Sequence, residues 1–180
     1  MRNITQYILS IVVIFYVSNL STTYAVDNKL EVVNLTLSGN ITEKTCGVLN
    51  TEQDKKIELG TIRLGKGMFK GDRSPRVQIP FAVSSCPANG LVTITFTGTN
   101  DTVDNQLLAI DNVPKKAKNI AIEISDIDKK RVVLGQKSVP IKADANGNAS
   151  LIFYANYFVT KDEAEPGVGN AKMQFSVQYE

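Results

Sequence analysis

The sequence predicts an all-β protein, a β-sandwich, and three observations carry that reading. Short runs rich in Val, Ile, Thr, Phe and Tyr alternate apolar and polar residues at a period of two. Turn-forming segments separate them at short intervals, and no stretch sustains a 3.6-residue period. Two cysteines, Cys46 and Cys86, follow an N-terminal leader, so they reach an oxidising compartment.

The leader comes first. Arg2 is the only charge before residue 27, and Tyr7 to Val17 ("YILSIVVIFYV") is almost continuously apolar. Thr23-Tyr24-Ala25 then places small residues at the positions a signal peptidase requires. Residues 1–25 read as a secretory signal peptide. A membrane anchor is the alternative, but the apolar core is shorter than a bilayer needs. Removing 25 of the 180 residues leaves 155, enough for one domain with a proper core. No interior linker, repeat or low-complexity segment marks a second domain. The formal charge of +2 falls by one with Arg2, to +1. A balance so near zero gives no steering toward nucleic acid or anionic membrane.

The strands follow in order. In "VVNLTLSGNITEKTC", Val33, Leu35, Leu37, Gly39 and Ile41 share one face and Asn34, Thr36, Ser38 and Asn40 the other. That is a half-buried strand, either an ordinary first strand or one that completes something outside its own chain. Further strands are expected at Ile57–Ile62, Val77–Ser85, Leu91–Gly98, Asn119–Ile127 and, briefly, Arg131–Leu134. Ala149–Val159 is apolar on both faces and is expected to be central. Ala171–Tyr179 sets Ala171, Met173, Phe175, Val177 and Tyr179 against Lys172, Gln174, Ser176 and Gln178. It is the last strand, with no further strand to cover its edge. The best helix candidate is "DNQLLAI" at 104–110, one or two turns.

A disulfide between Cys46 and Cys86 is the default pairing, ahead of free thiols or a metal pair. It spans 40 residues of sequence and by chain entropy contributes about 4 kcal/mol at most. The chain has no histidine and no third cysteine, so a zinc site lacks ligands and imidazole catalysis is excluded. There is no nucleophile elbow and no P-loop; "GKGMFKG" at 65–71 lacks the spacing. The carboxylate pairs in "SDIDKK" and "KDEAE" lie beside turn residues, and "DANGN" at 144–148 lacks the distal Glu of a calcium loop. No enzyme activity, metal or cofactor is expected.

Four segments taken in order are more specific. They are "LTLSGNITEKTC", with Gly39 seven residues before Cys46; "IELG" at 57–60; "IPFAVSSC" at 79–86; and "LIFYANYFVT" followed by "PGVGNAKMQFSVQYE", which ends on a penultimate tyrosine. Together they resemble the pilin subunits of chaperone–usher fimbriae, of the type 1 and P pilus kind, over essentially the whole mature chain. One departure is "KNIAIEISD" at 118–126, where such pilins often carry a Gly-Val-Gly-like stretch. It bears on pilus type rather than on family.

The resemblance implies an incomplete immunoglobulin-like sandwich that lacks its last strand and is completed by a donor strand from a neighbouring subunit. It implies a donor extension at 26–43 and a pilin domain at 44–180. Val33, Leu35, Leu37, Gly39 and Ile41 would be the inserted positions. Met173, Phe175, Val177 and Tyr179 would form the groove edge that a periplasmic chaperone contacts, with Glu180 anchored by its carboxylate. The implied partners are identical or related pilins, the chaperone and an outer-membrane usher, with a host receptor left open and no nucleic acid. The implied location is the fimbrium of a Gram-negative bacterium, reached through the periplasm, and the implied role a structural subunit supporting adhesion. A minor or adaptor pilin and a single-domain receptor-binding adhesin are the alternatives within the family. An unrelated secreted binding module with an intact sandwich is the alternative outside it.

Overall fold

The computed structural model describes residues 34–41, 46–48, 54–61 and 69–179. The expected signal peptide lies outside the described residues. Among the described residues ten strands run in chain order: β1 (Asn34–Ile41), β2 (Gly47–Val48), β3 (Asp54–Glu58), β4 (Val77–Ser84), β5 (Leu91–Gly98), β6 (Leu108–Ala109), β7 (Ile120–Ser125), β8 (Ile141–Lys142), β9 (Ala149–Val159) and β10 (Ala171–Tyr179). They form two five-stranded sheets, ordered β3-β1-β10-β5-β8 and β2-β4-β9-β7-β6. Among the described residues there is no helix.

Alternation decides which side chains face the gap between the sheets. On the first sheet these are Leu35 and Leu37 of β1, Val92, Ile94 and Phe96 of β5, and the odd-numbered residues 171–177 of β10, all buried. The second sheet contributes Ile79, Phe81 and Val83 of β4, Ile120, Ile122 and Ile124 of β7, and Leu151, Phe153 and Tyr157 of β9. Four rings knit the layers at the centre. Phe81 meets Phe175 across the gap with centroids 4.8 Å apart, and Phe96 meets Phe153 edge-on at 4.9 Å. Tilted and edge-on contacts of this kind add about 0.5–1.5 kcal/mol each beyond the area they bury.

The long strand expected at Ala149–Val159 is central, held between β4 and β7. From Ala155 onward both of its faces are buried. Segment 71–74 continues the ladder beside it through Gly71 N–H to Val159 O (2.8 Å) and Ser74 N–H to Tyr157 O (3.0 Å), and the outer face is covered there by Leu107 and the Arg73 and Arg131 side chains over Phe158.

Three expectations shift. The strand expected at Ile57–Ile62 starts earlier and covers Asp54–Glu58. Arg131–Leu134 is not a strand; it folds back with Val132 N–H on Ile124 O (2.9 Å) and a single bridge between Arg131 and Ser125. The helix candidate at 104–110 is a turn followed by β6. Its adjacent leucines divide: Leu108 joins the main core, and Leu107 packs outside the sheet against Ala121 and Phe158.

Cys46 and Cys86 form a disulfide with Cα atoms 4.2 Å apart. It ties the start of β2 to the end of β4, where Gly47 pairs with Ser84. Gly147 closes over this corner. Its φ is +76°, and a Cβ there would lie 2.1 Å from the carbonyl oxygen of Cys86. Cys86 N–H in turn donates to Gly147 O at 3.0 Å. Gly147→Ala therefore combines a left-handed backbone penalty with a clash against main chain, and urea unfolding should show a loss of about 2 kcal/mol or more. An unchanged midpoint would mean that this corner relaxes freely.

Candidate functional site

The site to be tested is the edge of β10. A strand that carries Met173, Phe175 and Val177 on one side cannot leave its outer edge open to water without exposing the core beneath. In this structure the edge is covered by β1. Leu35 pairs with Ala171, Leu37 with Met173, Gly39 with Phe175 and Ile41 with Val177, in parallel. The other edge of β1 pairs antiparallel with β3, Leu35 opposite Ile57 and Leu37 opposite Lys55. Thus β1 is a wedge between two strands that do not touch each other in the sheet.

The wedge is held by side chains as well as backbone. Leu35 and Leu37 are both 0% exposed. Full burial of a leucine is worth about 1.5–3 kcal/mol, so the pair contributes several kcal/mol. Thr36 points outward and is exposed. β3 is pinned from the far side by Lys55, whose amine donates to Pro80 O and lies 5.2 Å from the centre of the Phe81 ring.

Sequence reasoning expected this place to be filled by a neighbouring subunit. In the single chain the chain's own segment fills it. The physical reason is proximity: a tethered strand with the right alternation meets the open edge without an association cost. Of the expected donor positions, Leu35 and Leu37 face the core, and Gly39 and Ile41 lie in register with Phe175 and Val177. Val33 lies outside the described residues. Of the expected groove edge, Met173, Phe175 and Val177 are buried. Tyr179 was expected on their face, but it is 36% exposed. Its ring lies over Gly90, where a Cβ would come within 2.2 Å of it. Glu180 lies outside the described residues.

The carboxylates noted in the sequence are engaged: Asp162 accepts Lys70 N–H, Glu165 pairs with Lys118, and Asp126 and Asp144 close their own turns. Asp126 Oδ1 accepts the N–H groups of Asp128 and Lys130. Asp144 Oδ1 accepts those of Asn148 and Asn146, each at 2.8 Å. The Asn148 N–H foremost, with those of Asn146 and Gly147, holds the Asp144 carboxyl below the usual range. Among the described residues no group of three or more His, Cys, Asp or Glu could hold a metal.

The profile described as "Fimbrial protein" matches residues 35–180. The chain belongs to the fimbrial protein family. It is 37% identical over 153 residues to "Fimbrial-like protein FimF" of Salmonella typhimurium, covering 85% of this chain and 87% of that protein. It is 30% identical over 149 residues to "Long polar fimbria protein A" of the same organism, covering 79% and 81%. Among solved structures, the fold is similar to the P pilus rod subunit PapA (TM-score 0.59, 19% identity, 76% of this chain and all of that one). It is also similar to a subunit in a chaperone–usher pilus structure (TM-score 0.61, 20% identity, 79% and 92%).

A second cluster of this fimbrial protein escaped sequence reasoning. Glu123, on the outer face of β7, is 2% exposed. Arg73 grips it through two contacts of 2.6 and 2.9 Å, and Arg131 reaches its Oε1 at 2.9 Å. Both guanidinium groups stack on the Phe158 ring, 4.7 and 5.0 Å from its centre. Asp104 holds the far side of Arg131 at 2.8 Å. One carboxylate thus straps segment 71–74, loop 101–107 and segment 131–134 onto the sheet. The signal was present: a charge in the otherwise apolar run "IAIEIS" demands a partner.

Burial alone would raise the Glu123 carboxyl, but hydrogen bonds and charge from Arg73 and Arg131 outweigh it, and the net shift is downward. Its stabilisation is therefore complete above the unfolded value, about 4.3, and fades as pH falls through the lower folded value. Glu123→Gln should cost about 3 kcal/mol at pH 7 in urea unfolding. The gap to the parent should narrow steadily below about pH 4. A gap of equal size at both ends of that range would show that the ionised pair contributes nothing.

Proposed function

We propose that this fimbrial protein is a structural pilus subunit that polymerises by donor-strand exchange. Residues 26–43 would be the donor extension and 44–180 the pilin domain, exported behind the 1–25 signal peptide. The reading rests on one observation above all. The strand that completes the sandwich is the segment furthest in sequence from the edge it covers, and it enters as a wedge with two buried leucines. Nothing in that pairing requires the two strands to share a chain. The same segment of another copy, carrying the same alternation, offers the same backbone groups and the same leucines.

A consequence follows for the closed monomer. With β1 in its own groove, the subunit has no strand to give and no edge to receive one. Polymerisation requires β1 to leave. A periplasmic chaperone that occupies the β10 edge, and an outer-membrane usher that exchanges it for the next subunit's strand, are the partners such a cycle needs. The fimbrium at the bacterial surface is its destination. Parallel pairing is slightly weaker per residue than antiparallel pairing, so a donor strand entering antiparallel would favour exchange over permanent closure.

The test separates wedge from fold. A chain starting at Thr42 should aggregate alone and should be rescued as a soluble one-to-one complex by a peptide of residues 32–43. The same peptide carrying Leu35→Arg should fail to rescue it. In the full chain, Leu35→Arg or Gly39→Trp should still permit capture by a matching chaperone yet block incorporation into fibres. A truncated chain as soluble and heat-stable as the parent would sink the proposal, as would normal fibres from both variants.

A further inference from the structure

Away from the groove, two depressions of about 430 and 490 Å³ meet on the second sheet. Both are lined by Thr102, Val103 and Thr160, so they form two arms of one cleft. Each arm is within the about 300–1,000 Å³ typical of small-ligand sites. No residue of β1, β3 or β10 lines either arm. Whatever fills the groove, this cleft stays open.

Its chemistry is uneven in charge. Lys116, Lys118 and Lys161 line one arm and Lys70 the other. Among the described residues, the amines of Lys70, Lys116 and Lys161 have no carboxylate partner. Lys118 pairs with Glu165 at 2.8 Å, an exposed contact that a ligand anion can replace. The acids of the wall are engaged elsewhere. Asp101 Oδ1 accepts Val103 N–H and Asp104 N–H, and Asp104 is held by Arg131 and Gln106 N–H. Nearby Asp162 accepts Lys70 N–H at 2.8 Å. A protein with a formal charge of only +2 thus gathers four of its lysines around one cavity.

The remaining lining suits hydroxyl groups. Asn100, Asn105, Asn112, Thr99 and Thr102 offer amides and hydroxyls that both donate and accept. Val103, 41% exposed, stands on the lip shared by the two arms and supplies an apolar contact for the C–H face of a ring. The wall is set in advance. Loop 99–107 is closed by Ala109 N–H to Thr99 O (2.8 Å), Asp101 N–H to Leu107 O (2.9 Å) and Leu107 N–H to Asp104 O (3.0 Å). A rigid wall lowers the ordering cost of binding.

We propose that this cleft binds a carboxylated oligosaccharide, its acid group on the lysines and its hydroxyls on the amides and threonines. The carboxylate could come from a sialylated host glycan or from a uronic-acid polysaccharide. Repetition along a fibre would convert weak single-site binding into firm attachment, a point that rests on the polymer reading. The binding itself does not, and it can be measured on the soluble monomer.

The experiment titrates the full mature chain with three probes: 3′-sialyllactose, trigalacturonic acid and neutral lactose. Calorimetry gives affinity, and amide chemical shifts give location. Binding by at least one acidic probe, with lactose about tenfold weaker or worse and shifts centred on Thr102, Val103 and Thr160, is the expected result. Which acidic probe binds identifies the source of the carboxylate. The double variant Lys116→Glu, Lys161→Glu should lose about tenfold in affinity at an unchanged thermal midpoint, while Lys142→Glu should lose nothing. If the double variant fails to fold, the shift map on the parent decides. No binding by either acidic probe, lactose binding equally well, shifts elsewhere, or indifference to the double charge reversal would each overturn the assignment.

Discussion

The pairing of β1 with the edge of β10 is the contact on which the rest of the structure depends. The two strands are the first and last described in the chain, yet they are neighbours in the sheet. Without β1 the first sheet falls into two pieces, because β3 has no other strand beside it. The core would lose Leu35 and Leu37 as well, both members of the same buried cluster as Phe81 and Phe175. Backbone, packing and sheet continuity thus converge on eight residues at the edge of the domain. A fold so arranged is stable only while something occupies that position.

The outer face of the second sheet solves a different problem. Where β9 runs beyond β4, its outer residues would meet water, and Phe158 is among them. The chain covers them with segment 71–74 and loop 101–107, and it fixes the cover with Glu123, Arg73 and Arg131 rather than with a second large apolar core. A buried carboxylate is costly by itself, and it is tolerated here because two guanidinium groups surround it and both rest on one aromatic ring. Charge does for this small layer what four phenylalanines do for the main one.

Much of this was legible in the residues, for reasons that differ by element. β4, β5 and β10 announce themselves because alternation sets a core face against a polar one, and β9 because it is apolar on both faces, as a central strand is. The alternation of β1 was equally visible, but alternation names a face and not a partner, so the occupant of the β10 edge could not be read from it. The segment at 104–110 misled because Leu107 and Leu108 are both buried, Leu108 at the start of β6 and Leu107 just before it, in separate clusters. Two adjacent apolar residues look helical when only one core is imagined. Tyr179 keeps the alternation but runs past the end of the core and settles on Gly90 instead. The lysine-lined cleft was invisible for a simpler cause: its residues come from five separate stretches of sequence.

The disulfide acquires a mechanical meaning from its position. Cys46 follows the end of β1 by five residues, and its partner closes the far end of β4. Tension drawn along β1 enters the domain at Cys46 and crosses the sulfur bridge to Cys86 at once. The 40-residue span from one to the other is bypassed by the load. At the reach of an extended chain it holds on the order of 130 Å of slack that no pull can release while the bridge is intact. Pulled through its own β1, the domain would act as a short, stiff link, with β4 inside the loop that the bridge shields.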